Sequence, residues 1–362
     1  MMARLGDVCK IVSGTTPKSN IPEYWDGEIN WVTPAELNDD TTVIYESQRK
    51  ITEQAVKHSS LKSFPAGTVI LSSRAPIGKV AIAGVEMYCN QGFKNLVCSE
   101  RIHNKYLFWF LKGKTDFLNS LGRGATFKEI SKSIVENIDI PLPPVEEQEN
   151  YAAILDKVSS LISLRKQQLT KLDELVKARF VEMFGDPLSN DKQWEICGWD
   201  KVFNTATGKL DSNAAVVDGE YPFFTCAKEW LWIDKYAFDC EALLLAGNNA
   251  AGVYDVKHYS GKFNAYQRTY VLTLINDSWQ YALFKYQLEN RLAYLQNQSK
   301  GTNTRYLTLG ILYTLDFIVP PIELQCKFSR FTQQVDKQKL IIQRGLDKLE
   351  VLKKALMQEY FG

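Results

Sequence analysis

Two long stretches of the chain carry apolar residues at alternating spacings of three and four, the pattern of a heptad repeat. The first follows Pro143 and the second follows Pro320. Proline suits the first turn of a helix, where an amide hydrogen has no partner, and the glutamates that come next favour the positive end of the helix dipole. Each stretch is therefore predicted to form one helix on the order of 50 Å long. The predicted seam residues are Leu155, Val158, Ile162, Leu169, Leu172 and Val176 in the first helix and Val335, Ile342, Leu346, Leu349 and Leu356 in the second.

These two stretches belong to an internal repeat. Residues 139–185 return as residues 316–362, shifted by 177 positions without a gap and identical at 15 of 47 positions. Solenoid proteins have units of roughly 20–50 residues, so a period this long indicates one module built twice. The folded chain is expected to have an approximate two-fold axis and to bind something that also has two related halves.

The rest of the chain predicts two mixed domains, here called the first head (residues 1–142) and the second head (residues 186–319). Both combine short apolar runs with glycine, proline and asparagine turns, and the aromatic run 105–111 predicts a buried helix. With the helical segments 143–185 and 320–362, the expected fold class is α+β. We expect two α/β heads related by a pseudo-two-fold axis and joined by two long helices. The helices are predicted to form an antiparallel coiled coil, because the second head lets the chain turn back; alternatively, each helix only caps its own head.

The two heads are related more faintly than the two helices. Segment 27–33 parallels 219–225, segment 68–74 matches 242–248, segment 90–94 matches 264–268, and segment 124–128 aligns with 301–305. Helices that repeat without a gap beside strongly diverged heads are expected if the helices share one task and the heads recognise different things.

The formal net charge of the 362 residues is only +1, so the total charge gives no argument for a nucleic-acid partner. The distribution of basic and acidic residues along the chain does. Residues 1–70 hold 7 basic and 9 acidic side chains, whereas residues 71–133 hold 10 and 4. The second head repeats this polarity, with 4 and 9 in residues 193–243 and 7 and 3 in residues 244–306. Chance and solvated faces could explain one such case, but two favour a basic binding face on each head.

The residue inventory argues against a metalloprotein, a disulfide framework and a membrane protein. Seven cysteines are scattered without a Cys-x-x-Cys motif, and the chain has three histidines. The sequence starts without an apolar signal region and has no stretch of the length that spans a membrane. We expect a soluble, cytoplasmic protein.

Catalytic motifs are missing from the sequence. A phosphate-binding glycine-rich loop, an Asn/Asp-Pro-Pro-Tyr/Phe motif, a Gly-x-Ser-x-Gly elbow and a His-Glu-x-x-His pair do not occur. Asp239 and Glu241 form a carboxylate pair, but acids at that spacing are common by chance. The sequence indicates a binding protein rather than a catalyst.

Candidate binding residues lie in two glycine-rich basic segments, 122–128 and 299–305. Glycine lets the backbone approach a ligand, while arginine and lysine contact phosphates or guanine. Asn248, Asn249 and Gln267 carry amides that can pair with adenine in a groove. Each has a simpler interpretation, since glycine-rich loops are usually turns and asparagines often cap or turn the chain.

Taken in order, these motifs resemble the specificity subunits of type I restriction–modification systems. The resemblance covers the whole chain and is carried by the helix entries 141–148 and 319–325, by the opening Leu5–Val8 followed by Ser13–Pro17, and by segments 70–74 and 90–93. The second head departs from it, because Trp199–Val202 replaces that opening.

The resemblance implies a DNA-binding function without catalysis. Each head, as a target recognition domain, would bind one half of a split, asymmetric double-stranded DNA site, and the helices would set the unread spacer. The helices would also dock two methyltransferase subunits, which recruit two restriction (motor-nuclease) subunits. The chain itself would need no cofactor, because the methyl donor, ATP and magnesium belong to the partners.

The expected DNA-binding residues combine those motifs with the basic segments. They are Thr16, Lys18, Ser73, Arg74, Gln91, Lys94, Arg123, Thr126 and Lys128 in the first head and Asn248, Asn249, Gln267, Arg268, Lys300, Thr302, Asn303 and Arg305 in the second. Two other functions stay open: a fused restriction–methylation enzyme, which would need the missing motifs, and a bivalent scaffold whose heads bind protein. Salt dependence separates the scaffold from a DNA-binding protein, because phosphate contacts release counterions.

Overall fold

The chain divides into two compact units, each with one head and a segment of both long helices. The computed structural model describes residues 1–38, 41–74, 76–123, 128–250 and 252–362. Unit 1 comprises Met1–Lys166 and Arg344–Gly362, and unit 2 comprises Gln167–Gln343. The α+β fold class predicted from the sequence is confirmed.

The first head contains ten strands and five short α-helices within its described residues. The strands are β1 (Met2–Arg4), β2 (Cys9–Ser13), β3 (Trp25–Val32), β4 (Val43–Ile44), β5 (Lys50–Ile51), β6 (Val69–Ser72), β7 (Val80–Ala83), β8 (Tyr88–Cys89), β9 (Phe93–Cys98) and β10 (Asp139–Pro141). The helices are α1 (Leu5–Val8), α2 (Glu53–His58), α3 (Asn104–Gly113), α4 (Thr115–Leu121) and α5 (Lys132–Glu136).

The second head follows the long helix α6 (Val145–Phe184) and precedes the long helix α11 (Ile322–Phe361). Its strands are β11 (Glu195–Gly198), β12 (Phe203–Thr207), β13 (Tyr221–Phe224), β14 (Leu231–Ile233), β15 (Phe238–Ala246), β16 (Asn248–Asn249), β17 (Val256–Ala265), β18 (Thr269–Leu274), β19 (Arg305–Tyr306) and β20 (Asp316–Val319). Its short helices are α7 (Trp199–Val202), α8 (Tyr281–Asn290), α9 (Leu292–Gln298) and α10 (Leu309–Leu312).

The main sheets of the two heads share the order of four strands. The largest sheet of the first head has the strand order β2-β9-β6-β7-β4, and that of the second has β12-β18-β15-β17-β13-β14. The first four strands correspond one to one, and in both heads the strand before α6 or α11 pairs antiparallel with the first strand of that head. The duplication seen in the helices therefore extends through the heads, although their sequences have diverged.

The aromatic run in the first head is helical and buried, as predicted. In α3 the six residues Tyr106–Leu111 are all buried, and they pack against the sheet in the main core of unit 1. Tyr106 also donates a 2.8 Å hydrogen bond from its hydroxyl to the carbonyl of Pro141. Desolvation accordingly raises the pKa of this hydroxyl above the range of an exposed tyrosine.

The long helices run antiparallel within each unit. In unit 1, Tyr151 stacks on Tyr360 with ring centroids 4.0 Å apart, and Lys166 pairs with Glu350 at 3.1 Å. In unit 2, Phe180 contacts Phe328 at 5.5 Å between centroids, and Lys339 pairs with Asp173. In every case a later residue of α6 meets an earlier residue of α11, so the predicted antiparallel pairing is confirmed.

Each long helix also packs on a head at both of its ends, which rules out helices that cap only their own head. Phe361 of α11 lies 5.1 Å from Tyr106 of the first head, between ring centroids. Phe180 of α6 stacks at 4.2 Å on Tyr286 of the second head. Of the predicted seam residues, five are buried and six are half-buried: Leu155, Val158, Ile162, Val335 and Leu346, and then Leu169, Leu172, Val176, Ile342, Leu349 and Leu356.

Two buried glutamines fix the start of each long helix in the same way. Gln148 accepts from the backbone of His103 (2.9 Å) and donates to the carbonyl of Pro143 (2.8 Å). Its repeat partner Gln325 accepts from the backbone of Gln280 (3.1 Å) and donates to the carbonyl of Pro320 (2.8 Å). All three positions are shifted by 177, so the repeat preserves this hydrogen-bond pattern residue by residue.

Within the described residues, the helices are all too short or too polar to cross a membrane.

Candidate nucleic-acid interface

Three sequence motifs of the first head meet just beyond the end of strand β6. The amide of Ser73 donates to the carbonyl of Gly92 (2.7 Å), and the carbonyl of Ser73 accepts from the amide of Ile130 (2.9 Å). Segments 70–74, 90–94 and 128–130 are therefore joined by backbone hydrogen bonds, at a point we call the first junction. Its side chains come from the segments that the sequence singled out.

A charged cluster occupies the first junction. The Nε of Arg74 donates to Glu129 at 2.9 Å, and the ammonium of Lys94 lies 3.2 Å from the other carboxylate oxygen. Lys94 also donates to the hydroxyl of Ser73 at 3.2 Å. The Lys94 side chain is only 7% exposed, whereas that of Arg74 is 44% exposed. Of the two cations in this cluster, Arg74 is therefore the one that can reach a ligand.

Charge pairing governs the carboxylate at the centre of this cluster. Partial burial alone would raise the pKa of Glu129, but the hydrogen bonds and positive charges of Arg74 and Lys94 outweigh it and lower that pKa. Glu129 is thus held ionised, and it fixes the direction of the Arg74 guanidinium.

A surface pocket of about 410 Å³ opens beside Arg74. Thr33, Lys79, Asn90 and Gln91 are among its lining residues. Gln91 accepts a hydrogen bond from the hydroxyl of Thr16, which joins the Ser13–Pro17 motif to this pocket. Lys18 is exposed two residues further along the chain.

The basic loop of the first head is closed at its base by two backbone hydrogen bonds. The amide of Arg123 donates to the carbonyl of Glu129 (3.0 Å), and the reverse bond measures 2.9 Å. The side chains of Arg123 and Lys128 are exposed. Thr126, also expected to contact DNA, lies outside the described residues.

The second head has an equivalent junction, built from Gly247. The amide of Gly247 donates to the carbonyl of Arg268 (2.8 Å), and its carbonyl accepts from the amide of Leu307 (2.8 Å). Lys300 and Tyr306 close the loop with backbone bonds of 3.0 and 2.8 Å, at the positions of Arg123 and Glu129 shifted by 177. We call this point the second junction.

The expected binding residues of the second head surround this junction. Asn248 and Asn249 pair with Tyr306 and Arg305 in the β16–β19 ladder. The guanidinium of Arg305 donates to the carbonyl of Gln296 at 3.3 Å. The other candidates, all exposed, are Gln267, Arg268, Lys300, Thr302 and Asn303.

Two residues of this candidate site are not among those predicted from the sequence. The sequence shows Glu129 only as an acid in a basic segment. Its pairing with Arg74 is not visible there, because the two residues are 55 positions apart. Lys79 lines the pocket beside Arg74 and donates to the carbonyl of Leu37 at 2.6 Å, and no motif marked it. The acid flanked by basic residues was the available signal for Glu129.

In the described part of the chain, no group of three or more histidine, cysteine or acidic side chains is placed to hold an ion. All seven cysteines are free thiols.

Comparison with known proteins gives one coherent result. A family model for the type I restriction modification DNA specificity domain matches residues 1–174 and again residues 191–351. The chain is 28% identical to the specificity subunit of the type I restriction enzyme MjaIX of Methanocaldococcus jannaschii, over 98% of this chain and 90% of that one. It is 40% identical over 129 residues to the specificity subunit of the type I restriction enzyme EcoDI of Escherichia coli, a match covering 35% of this chain and 28% of that one.

The fold is similar to that of the type I restriction–modification system S subunit from M. genitalium. The TM-score is 0.69, with 100% of this chain and 96% of that chain covered at 14% sequence identity. The two matched segments of the family model correspond to the two heads with the adjoining helical segments.

Proposed function

The chain belongs to the family of type I restriction–modification DNA specificity proteins, and from this premise we infer that it is the sequence-specific DNA recognition subunit of such a complex. Each head reads one half of a bipartite, asymmetric site. The observation that carries this proposal is the pair of junctions. They share one backbone frame but differ in their side chains, since Ser73, Arg74 and Glu129 are replaced by Gly247, Asn248 and Tyr306.

Two heads that share the backbone arrangement of their junctions but differ in the side chains there are suited to recognise two different half-sites. Contacts to DNA phosphates position a protein on the duplex, whereas side chains that reach base edges select the sequence. The exposed basic residues near each junction supply the phosphate contacts that all DNA binding requires. The heads are non-catalytic, and methylation and cleavage belong to partner subunits.

The long helices set the spacer between the half-sites and dock two methyltransferase subunits, which in turn bring two motor-nuclease subunits. Apolar side chains on the outer faces of the helices support this docking role. Leu164 and Leu175 of α6 are 55% and 47% exposed, and their repeat partners Ile341 and Leu352 of α11 are 69% and 45% exposed. Such side chains at matching repeat positions fit two identical partners, one for each copy.

The methyl donor, ATP and magnesium are used by those partners, so we propose that this chain binds none of them. A cytoplasmic location follows from the same proposal, because the DNA and the partner subunits are there. The free thiols fit a reducing compartment.

Binding and activity measurements on the purified chain test the proposal. Incubated alone with DNA, methyl donor, ATP and magnesium, the chain should neither methylate nor cleave. With the methyltransferase subunits it should bind a duplex that carries its recognition site, which a genome-wide map of methylated adenines identifies and which we call the mapped duplex. The affinity should fall steeply as salt rises. Activity of the chain alone would favour a fused enzyme, and salt-independent binding to a protein partner without DNA binding would favour a bivalent scaffold.

A further inference from the structure

Arg74 and Asn248 occupy the same place in the two heads. Each follows the central strand of its sheet, β6 or β15, and pairs through its backbone with the residue that closes the basic loop. That closing residue is Glu129 in the first head and Tyr306 in the second, at the exact repeat distance of 177. The two heads therefore present one variable position in a constant backbone frame.

The side chain of Arg74 is held in a defined direction. Its Nε is bound to Glu129, so the edge formed by the two terminal nitrogens faces away from that carboxylate. This edge is the one that can donate two parallel hydrogen bonds to the O6 and N7 of guanine. The carboxylate is in turn held by the buried ammonium of Lys94, at 3.2 Å.

The carboxylate bound to the Arg74 guanidinium favours a base edge over a phosphate at that group. Glu129 lies 2.9 Å from the guanidinium and would repel an anion bound to the same group. The edge of guanine is neutral and offers only acceptors at O6 and N7, so the carboxylate does not oppose it. The pocket beside Arg74 adds Thr33, Asn90 and Gln91, which are hydrogen-bonding groups without charge. Its one cation besides Arg74 among the described lining residues is Lys79, whose ammonium is bound to the carbonyl of Leu37 at 2.6 Å.

The second junction carries a different reader. Asn248 replaces the arginine, and Tyr306 replaces the glutamate that would hold an arginine in place. An asparagine amide pairs in two hydrogen bonds with N6 and N7 of adenine. At the same point of the frame, the chemistry has changed from a guanine reader to an adenine reader.

We propose that this shared position is a specificity-determining site, where Arg74, positioned by Glu129, reads a guanine in one half-site and Asn248 reads an adenine in the other. This assignment rests on the proposed function, because it presupposes that the heads bind DNA. It names one base contact for each head, and Glu129 acts as a positioning residue that does not itself touch the base.

Binding of the full chain with its methyltransferase subunits to a modified site tests the assignment. The probe is the mapped duplex with 7-deazaguanine, which lacks the N7 acceptor, placed at each guanine of one half-site in turn. At one guanine of the first head's half-site, this change should weaken wild-type binding roughly tenfold. In Arg74→Ala the same change should have an effect below about twofold, because the contact is already gone.

Further variants separate positioning from folding. Glu129→Gln keeps the shape of the side chain and should weaken discrimination at that same guanine alone, which a loss of folding would not do. Arg74→Lys keeps the charge but not the two-pronged geometry, and should bind the site with reduced preference for guanine. Discrimination in the second half-site is the internal control and should stay unchanged in all three variants, while Asn248→Ala should relax one adenine there and leave the first half-site intact.

The outcomes distinguish this assignment from the function on which it rests. If wild-type binding depends on no guanine N7 in that half-site, or if Arg74→Ala retains the full 7-deazaguanine effect, the assignment is overturned while bipartite recognition stands. If the wild-type complex binds the mapped duplex no better than an unrelated duplex, the proposed function itself fails.

Discussion

At the scale of single residues, Gln148 and Gln325 show how the repeat preserves a contact. Each side chain is fully or almost fully buried and satisfies backbone groups at the entry of a long helix. Removing either amide would leave those buried groups unpaired, which costs more than the net value of a hydrogen bond. We expect Gln148→Ala and Gln325→Ala each to lower the free energy of unfolding by roughly 1–3 kcal/mol.

Chemical unfolding with matched controls checks this expectation. Gln167→Ala changes an exposed glutamine of α6 and should be close to neutral. Because the two buried glutamines are in different units, the double variant should lose about the sum of the two effects. Stabilities indistinguishable from the Gln167→Ala control would show that these amides do not hold the helix entries.

The exposed basic side chains at the closing of the loops, Arg123 and Lys300, give a second expectation at this scale. Both lie beside a junction and form no ion pair with a carboxylate among the described residues, so we expect them to contact phosphates. Alanine at either position should weaken binding to all sequences alike and reduce the salt slope by about one. Fluorescence anisotropy of the methyltransferase-bound complex at several salt concentrations measures both quantities.

A surface lysine with an intrahelical partner is the control for these variants. Lys57 is exposed in α2 and lies 3.6 Å from Glu53, and Lys57→Ala should leave the salt slope unchanged. Equal slopes in Arg123→Ala, Lys300→Ala and the wild type would place the DNA-binding face elsewhere on the heads.

The sequence identified candidate binding residues by their type, but it could not distinguish those that face outward from those that support the fold. Arg74 and Lys94 were both expected to contact DNA, yet the structure buries Lys94 against Glu129 and leaves Arg74 half-exposed. The difference depends on a contact between segments more than 30 residues apart, which no local pattern encodes. We therefore interpret Lys94 and Ser73 as supports of the first junction rather than as DNA contacts.

At the scale of elements, the long helices were the most predictable part of the chain. Their heptad pattern gave the seam, and the seam residues are buried or half-buried. The helices begin at Val145 and Ile322, directly after the paired prolines that the sequence placed at their first turn. The short strands were less predictable, because a two-residue strand such as β4 or β8 is defined by a distant partner rather than by its own composition.

Lengthening both helices tests their role as a spacer. One heptad inserted after Leu169 and one after Leu346 keeps the seam in register and adds roughly 10 Å, equivalent to about three base pairs. We expect the recognised half-sites to stay the same and the unread spacer between them to grow. The measurement is selection of bound duplexes from a library in which only the spacer length varies.

A matched control inserts four residues instead of seven, which shifts the seam and should disrupt the pairing of the helices. If the seven-residue insertion changes the bases read and leaves the spacer unchanged, the division of tasks between helices and heads is wrong.

At the scale of the whole molecule, duplication explains why one chain can recognise an asymmetric site. Two copies of one frame share the order of four sheet strands and the same junction, and we propose that different side chains at the variable position make the two halves unequal. Sequence repetition predicted this plan, since the 177-residue shift runs through helices, loop closures and buried glutamines alike. What it could not predict is which side chain at each junction faces outward, because that depends on the folded packing of three separate segments.

The most direct test of the central claim is a genome-wide map of methylated adenines in cells with and without this gene. If the two heads read unequal half-sites and the helices fix the spacer between them, the map should show one bipartite, asymmetric motif with a single unread spacer length. That motif should be methylated in cells that carry the gene and unmethylated when only this gene is deleted, with other methylated motifs unaffected. Both strains must express the methyltransferase partners. The account would be contradicted if the two strains had the same methylation pattern, or if deletion of the gene removed a short continuous motif instead.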